Sequence, residues 1–182
     1  MYGMVNEGIR TFIESNFGEE AWQSICGRAD IDLRQFDRLA SCDDTITYSL
    51  VGAVSEHTNL PAEKVLNVFG EYWVDYAGQS GFGNLLKLAG NSFVEKVRNL
   101  DDMHERILLT MPNLKPPSFE LEAVGENTYD LSYYSTREGL APMVIGLLQG
   151  LAAETGETIA IEHTQEKSSN TDCDIFRIVI QN

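Results

Sequence analysis

Basic side chains are scarce: 13 Lys and Arg stand against 28 Asp and Glu, a formal net charge of −15. That balance argues against a nucleic-acid partner, because a polyanion is repelled. It argues equally against an anionic membrane surface. No apolar run approaches the ~20 residues of a membrane span. The first residues, MYGMVNEGIR, carry Glu7 and lack the basic stretch of a signal peptide. Cys26, Cys42 and Cys173 are odd in number, far apart and without a CxxC. No disulfide framework is therefore expected, and a soluble protein of a reducing cytoplasm fits. Phosphate-loop patterns (GxxxxGK, GxGxxG) are missing, GFGN at 81–84 is too short to cradle a phosphate, and no serine stands in a GxSxG context. Repeats and low-complexity tracts are missing too.

What remains is an ordinary globular composition, 182 residues with 43% hydrophobic, enough for one sizeable core or two subdomains sharing an interface. The first part reads as helices. Val5, Ile9, Phe12, Ile13 and Phe17 recur at helical spacing, with Gly18 as the stop. Ala21, Trp22 and Ile25 mark a short second helix, and DDTITYSLVGAVSEHTNL a third that ends near Asn59. Pro61 suits the first turn of a helix through EKVLNVFGEYWVDYA. Shorter helical pieces run from Phe82 to Leu88 and from Phe93 to Val97. In NLDDMHERILLTM (99–111), Leu100, Met103, Ile107, Leu108 and Met111 share one side, Asp101, Asp102, Glu105 and Arg106 the other. Pro112, Pro116 and Pro117 then block helix continuation.

From residue 118 the apolar period switches from helical to alternating. SFELEAV, a turn at GEN (125–127) and TYDLSYYS read as a hairpin. GLAPMVIGLLQGLAAETG (139–156) is an apolar helix with Pro142 in its first turn, and ETIAIEHTQ and CDIFRIVIQ complete an antiparallel sheet. Helices first, then a sheet with its helix, define an α+β fold.

Two places carry chemistry. His104 sits in the middle of the apolar stripe of the 99–111 helix rather than among its charges. It fits either a buried neutral imidazole bonded to a carbonyl or an axial ligand to a large apolar planar cofactor, as a haem iron requires. Tyr133, Ser135 and Arg137 in YYSTR stand at alternate positions, so a strand there would aim a phenol, a hydroxyl and a guanidinium the same way. Arg137 fits a pair with one of the many carboxylates or a clamp for a ligand's carboxylates. Haem, an apolar disc with two propionates, satisfies both sharper readings at once. Weaker constellations are His163 with Cys173, short of a metal's full ligand set, and Asp43-Asp44 and Asp101-Asp102, read as caps or solvated faces.

The same residues resemble the H-NOX family, the haem nitric oxide/oxygen-binding domains that include the haem domain of soluble guanylate cyclase. The likeness runs from MYGMVNEGI through GEYWVDYA, LDDMHERI, PPSFEL and YYSTREGLAPMVIGLLQGL to DIFRI. The most specific part is Y-x-S-x-R followed by G-L, with a histidine about thirty residues upstream. The resemblance implies a single domain over 1–182, with a helical distal subdomain at 1–60, proximal helices and sheet at 61–182, and haem b between them. It resembles the bacterial stand-alone form, a sensor without a catalytic site of its own.

By that likeness His104 is the proximal iron ligand, Tyr133, Ser135 and Arg137 bind the propionates, and Pro117 presses on the porphyrin. Val5 and Ile9 face the distal side, Trp73 is similar to a distal tryptophan of some NO-binding members, and Met143 (or Pro142) replaces the tyrosine that oxygen-holding members use. Tight binding of nitric oxide, some binding of CO and no stable oxy complex are implied, with Tyr2, Tyr72 and Tyr76 as substitute donors. The implied partner is a histidine kinase or a cyclic-di-GMP enzyme. Alternatives are a general O₂ or CO sensor, a redox- or zinc-linked sensor through the cysteines and His163, a haem peroxidase, for which the distal residues offer no acid–base pair, and a cofactor-free interaction protein.

Overall fold

Apolar residues spaced three and four apart close the first hundred residues into helices. In the computed structural model, which describes residues 1–32 and 36–181, these are α1 (Gly3–Phe17), α2 (Glu19–Ala29), α3 (Asp44–Thr58), α4 (Ala62–Gln79), α5 (Gly83–Leu88), α6 (Phe93–Arg98) and α7 (Leu100–Leu108). The boundaries follow local chemistry. The Asp43 carboxylate accepts from the Thr45 N–H at 2.8 Å and starts α3. Ser92 and Glu95 form a reciprocal capping box on α6. Pro61 stands at the cap of α4, one residue ahead of the expected first turn. The 99–111 helix is shorter than its apolar stripe. Regular structure ends at Leu108; the Leu109 N–H donates to the Arg106 carbonyl and the Thr110 and Met111 N–H groups to the Ile107 carbonyl, because Pro112 disfavours helical backbone at the residue before it.

The second part is β1 (Ser118–Gly125), β2 (Thr128–Tyr134), α8 (Ala141–Thr155), β3 (Thr158–Gln165) and β4 (Asp174–Gln181). The strands form one antiparallel sheet in the order β1-β2-β4-β3. Register puts Leu121, Leu131, Phe176 and His163 in one row on the face packed against α8. Helices followed by an antiparallel sheet give the α+β class expected. Among the described residues no helix is long and apolar enough to cross a membrane.

Two apolar cores share α4 and α8. Val65, Leu66 and Phe69 of α4 pack with Ile9, Ile13, Trp22, Ile25 and Leu50 in the helical core, while Val74, one turn further on, packs with Phe93, Leu131, Leu148 and Phe176. The two shared helices meet backbone to backbone. A Cβ on Gly146 would stand 1.9 Å from the Asn67 carbonyl oxygen, and one on Gly70 2.2 Å from the Met143 carbonyl oxygen. Only glycine permits that approach, so residues 67–74 and 143–150 form a rigid spine between the cores.

Candidate functional site

The two cores leave a cavity between them with ≈ 240 Å³ of room for water centres. Its walls come from the start of α1, the second half of α4, α7, the 111–117 segment, β1, the end of β2 and the start of α8. Val5, Trp73, His104, Pro117, Tyr133, Ser135, Arg137 and Met143 all line it. Eight of the nine site residues expected from sequence are therefore brought to one place from four helices, a strand and two loops.

Ile9 is the exception: it does not line this cavity. It is 4% exposed in the helical core and faces a separate small void with Phe12, Ile13, Val51 and Phe69. It shares a helix face with Val5 but lies four residues on, about 6 Å along the axis, which takes it past the cavity.

His104 is held by α7. The Asp101 carboxylate, one turn earlier, accepts from the Phe119 N–H at 3.0 Å and the Ser118 hydroxyl at 2.6 Å, which pins the start of α7 to β1. The imidazole faces Phe119, ring centroids 6.1 Å apart. Its Nδ1 is sealed from solvent and has no hydrogen-bond partner. Burial pushes the imidazole pKa below its ordinary value, against the opposing pull of Asp101 and the Pro117 carbonyl. The ring is thus neutral and keeps a lone pair, as metal ligation requires.

The Tyr133–Arg137 segment is built differently from the strand that sequence alternation suggests. β2 ends at Tyr134, and residues 136–139 form a bend. The Arg137 N–H donates to the Ser135 hydroxyl oxygen at 3.1 Å, the Lys167 ammonium donates to the Ser135 carbonyl, and Gly139 adopts φ +73°. A local turn, not the pleat, brings Tyr133, Ser135 and Arg137 together. Burial pushes the Tyr133 phenol pKa up, so it stays a donor. Arg137 Nε donates to Asp44 at 2.9 Å, Nη2 to the same carboxylate at 3.4 Å and Nη1 to the Lys115 carbonyl at 2.9 Å. Arg137 thus pairs with a carboxylate and lines the cavity, and among the described residues two of its five N–H donors have no partner.

Asp44 is the residue that sequence reading misses. A cap or solvated side chain describes its neighbour Asp43 alone. Asp44 joins the Met1 ammonium to the Arg137 guanidinium. No local pattern announces a contact spanning 93 residues. Asp101 escapes in the same way, and the Ser and Phe that follow Pro117 are its only signal.

The weaker pair separates. His163 Nε2 contacts the Asp174 carboxylate at 2.9 Å and stacks on Phe176, while Cys173 is buried beside the Gln165 amide. Among the described residues no three His, Cys, Asp or Glu side chains gather as a metal set.

The cavity fits haem by its own chemistry: a mostly hydrocarbon wall, one neutral imidazole with a sealed, unpartnered nitrogen, and donors at one edge. Comparison with known proteins points the same way. The fold matches an H-NOX protein from S. oneidensis in the Fe(II)NO state, with TM-score 0.89, 21% identity and full coverage of both chains. It also matches a mutant of an H-NOX protein from S. oneidensis in the Fe(II) state, with TM-score 0.90, 21% identity and coverage of 100% of this chain and 97% of the other. In sequence it is 29% identical over 161 residues to soluble guanylate cyclase gcy-31 of Caenorhabditis elegans, 87% of this chain and 22% of that protein. It is 25% identical over 154 residues to soluble guanylate cyclase 89Db of Drosophila melanogaster, 85% of this chain and 23% of that one. The chain thus spans under a quarter of the length of these cyclases. The profile described as haem-NO-binding matches residues 2–163, and the chain belongs to that family.

Proposed function

We propose that this chain is a haem-based nitric oxide sensor module, with haem b held by His104 and a conformational change passed to a signalling partner. One observation carries the reading: a single cavity joins a neutral imidazole with an unpartnered nitrogen to a hydroxyl–guanidinium edge. Haem, when bound, would supply a gas-binding iron, and His104 is the residue that would hold it. Tyr133, Ser135 and the two free N–H groups of Arg137 hold the propionate edge, Pro117 backs the ring plane, and the hydrocarbon walls exclude water.

The distal side is proposed to carry Val5, Trp73 and Met143, which offer no hydroxyl. A wall without a hydroxyl donor would favour NO and CO over a stable oxy form, because oxygen would need a hydrogen-bond donor there and NO would not. α7 is built to transmit. Among its residues only Leu100 is fully buried, and Leu109 just beyond is 87% exposed. A shift of His104 therefore meets little resistance from packing. By family resemblance the partner is a cytoplasmic histidine kinase or a cyclic-di-GMP enzyme, and this module has no catalytic site of its own. Differential affinity of that partner for the two shapes carries the signal.

The test is the absorption spectrum of the ferrous protein. A Soret band lost in His104→Ala and restored by imidazole, shifting with NO and CO but not in air, supports the assignment. A band unaffected by His104→Ala sinks the ligation. A second reading, a general oxygen-binding sensor, is favoured by Tyr2. It lines the cavity, and its hydroxyl accepts from the Asn113 N–H at 3.2 Å, which leaves its own proton uncommitted. A stable oxy spectrum that disappears in Tyr2→Phe selects it.

A further inference from the structure

The chain has five methionines, and all five (Met1, Met4, Met103, Met111 and Met143) line the cavity. Lining residues are about a seventh of the chain, so an even scatter would put about one methionine there. Six leucines share these walls, but of the twelve isoleucines only Ile107 does. Leucine or isoleucine would fill this space with stiffer hydrocarbon, while methionine brings a polarizable, oxidisable thioether. The five come from separate places: the N-terminus, α1, α7, the turn after α7 and α8.

Their exposure is graded. Met4 and Met111 pack with Tyr2 as a small buried core, Met111 being 3% exposed. Met1, Met103 and Met143 are half-buried. Met103 neighbours His104 on α7, and Met143 stands on α8 where its carbonyl touches the spine at Gly70. A small oxidant that enters the cavity therefore meets Met1, Met103 and Met143 before Met4 and Met111, and of these three Met103 and Met143 stand on the helices α7 and α8 that wall the site.

We propose that the methionines form an oxidation-sensitive lining, in which a peroxide converts Met103 and Met143 to sulfoxides and thereby releases the cavity's hold on its apolar ligand. The inference rests on the haem reading above. In the step, a sulfur lone pair attacks one peroxide oxygen, a sulfur–oxygen bond forms and the O–O bond breaks. Sulfur loses two electrons to the peroxide, and the departing oxygen leaves as water or an alcohol after taking a proton. A sulfoxide oxygen placed among hydrocarbon walls is a buried acceptor with few donors in reach, which disfavours a flat apolar ligand against it. Methionine sulfoxide reductases reverse the modification, so the device resets. Cys26 is a poor competitor, because burial raises its thiol pKa to about 11.

The test treats the full-length apoprotein with hydrogen peroxide, maps added oxygen by peptide mass, and titrates hemin before and after. Oxygen is expected first on Met103 and Met143. Hemin affinity is expected to fall by about tenfold or more and to return after methionine sulfoxide reductase, which leaves oxidised cysteine untouched. The Met103→Leu/Met143→Leu protein, compared with its own untreated form, should keep its hemin affinity through peroxide. Unchanged hemin affinity after both methionines are oxidised overturns the proposal, as does equal loss in the double-leucine protein. If the untreated protein takes no hemin, the haem reading fails by itself. The apolar dye 8-anilinonaphthalene sulfonate then reads the same cavity, and binding unchanged by oxidation of Met103 and Met143 ends the methionine proposal.

Discussion

The α4–α8 spine and the α7 wall face each other across the cavity and are built on opposite terms. In the spine two helices touch through their backbones at Gly70 and Gly146, with no side chain between them to adjust. The α7 wall has one fully buried residue, an imidazole with a sealed, unpartnered nitrogen and an exposed leucine at its end. Close packing leaves the spine one arrangement, whereas α7 is fastened chiefly at its start, by Asp101. A ligand-driven motion needs a fixed side and a loose side, and this molecule has one of each.

The spine is where a single methyl group does most damage. In Gly146→Ala the new Cβ collides with the Asn67 carbonyl oxygen at 1.9 Å, and a carbonyl within a helix cannot rotate away. Separating the helices is the relief available, and it opens both cores. A loss of at least about 3 kcal/mol is expected, at the upper end of overpacking costs, read from urea midpoints of the apoprotein.

Asp101→Ala comes next. It frees the Phe119 N–H and the Ser118 hydroxyl from their carboxylate partner and costs about 1–3 kcal/mol, checked by the same midpoints. In the hemin-loaded protein it should also broaden the Soret band, because α7 then lacks its anchor at the His104 end. His104→Ala is expected to change apoprotein stability by less than about 1 kcal/mol, since the ring lines a cavity and its Nδ1 has no partner to lose. If His104→Ala costs as much as Gly146→Ala, the contrast between the two walls is wrong.

Sequence reading reaches the helices, the hairpin and most of the cavity lining, and its failures share a cause. Helical spacing places His104 on an apolar face because that face repeats within one element. Alternation places Tyr133 on its strand but runs past the end of β2 at Tyr134, since the bend at 136–139 depends on a Ser135 turn and on Lys167 from beyond β3. Ile9 stands outside the cavity lining because a helix face is a stripe, and the cavity meets only the first turn of α1. Asp44 and the gathering of methionines depend on segments brought together by folding, 93 residues apart for Asp44 and Arg137.

The Asp44–Arg137 contact is the smallest of the expected effects and the one that joins the two walls' surroundings. It ties α3 and the N-terminus to the bend that follows β2. Partial burial pushes the Asp44 carboxyl pKa up, but hydrogen bonds and charge from the Met1 ammonium and Arg137 outweigh it and hold the value below the ordinary one. A carboxylate whose folded pKa is depressed adds stability that is fully present above the unfolded value of about 3.9 and is lost as pH falls through the folded value. The side chain is 38% exposed, so solvent screening keeps this contribution under about 1 kcal/mol. Between about pH 5 and about pH 3 the parent should therefore lose slightly more stability than Asp44→Asn, and high salt should narrow the gap. Equal acid sensitivity in the two proteins means the strap is not held by its charge. The hold on Arg137 then comes from the Lys115 carbonyl and the Ser135 turn alone.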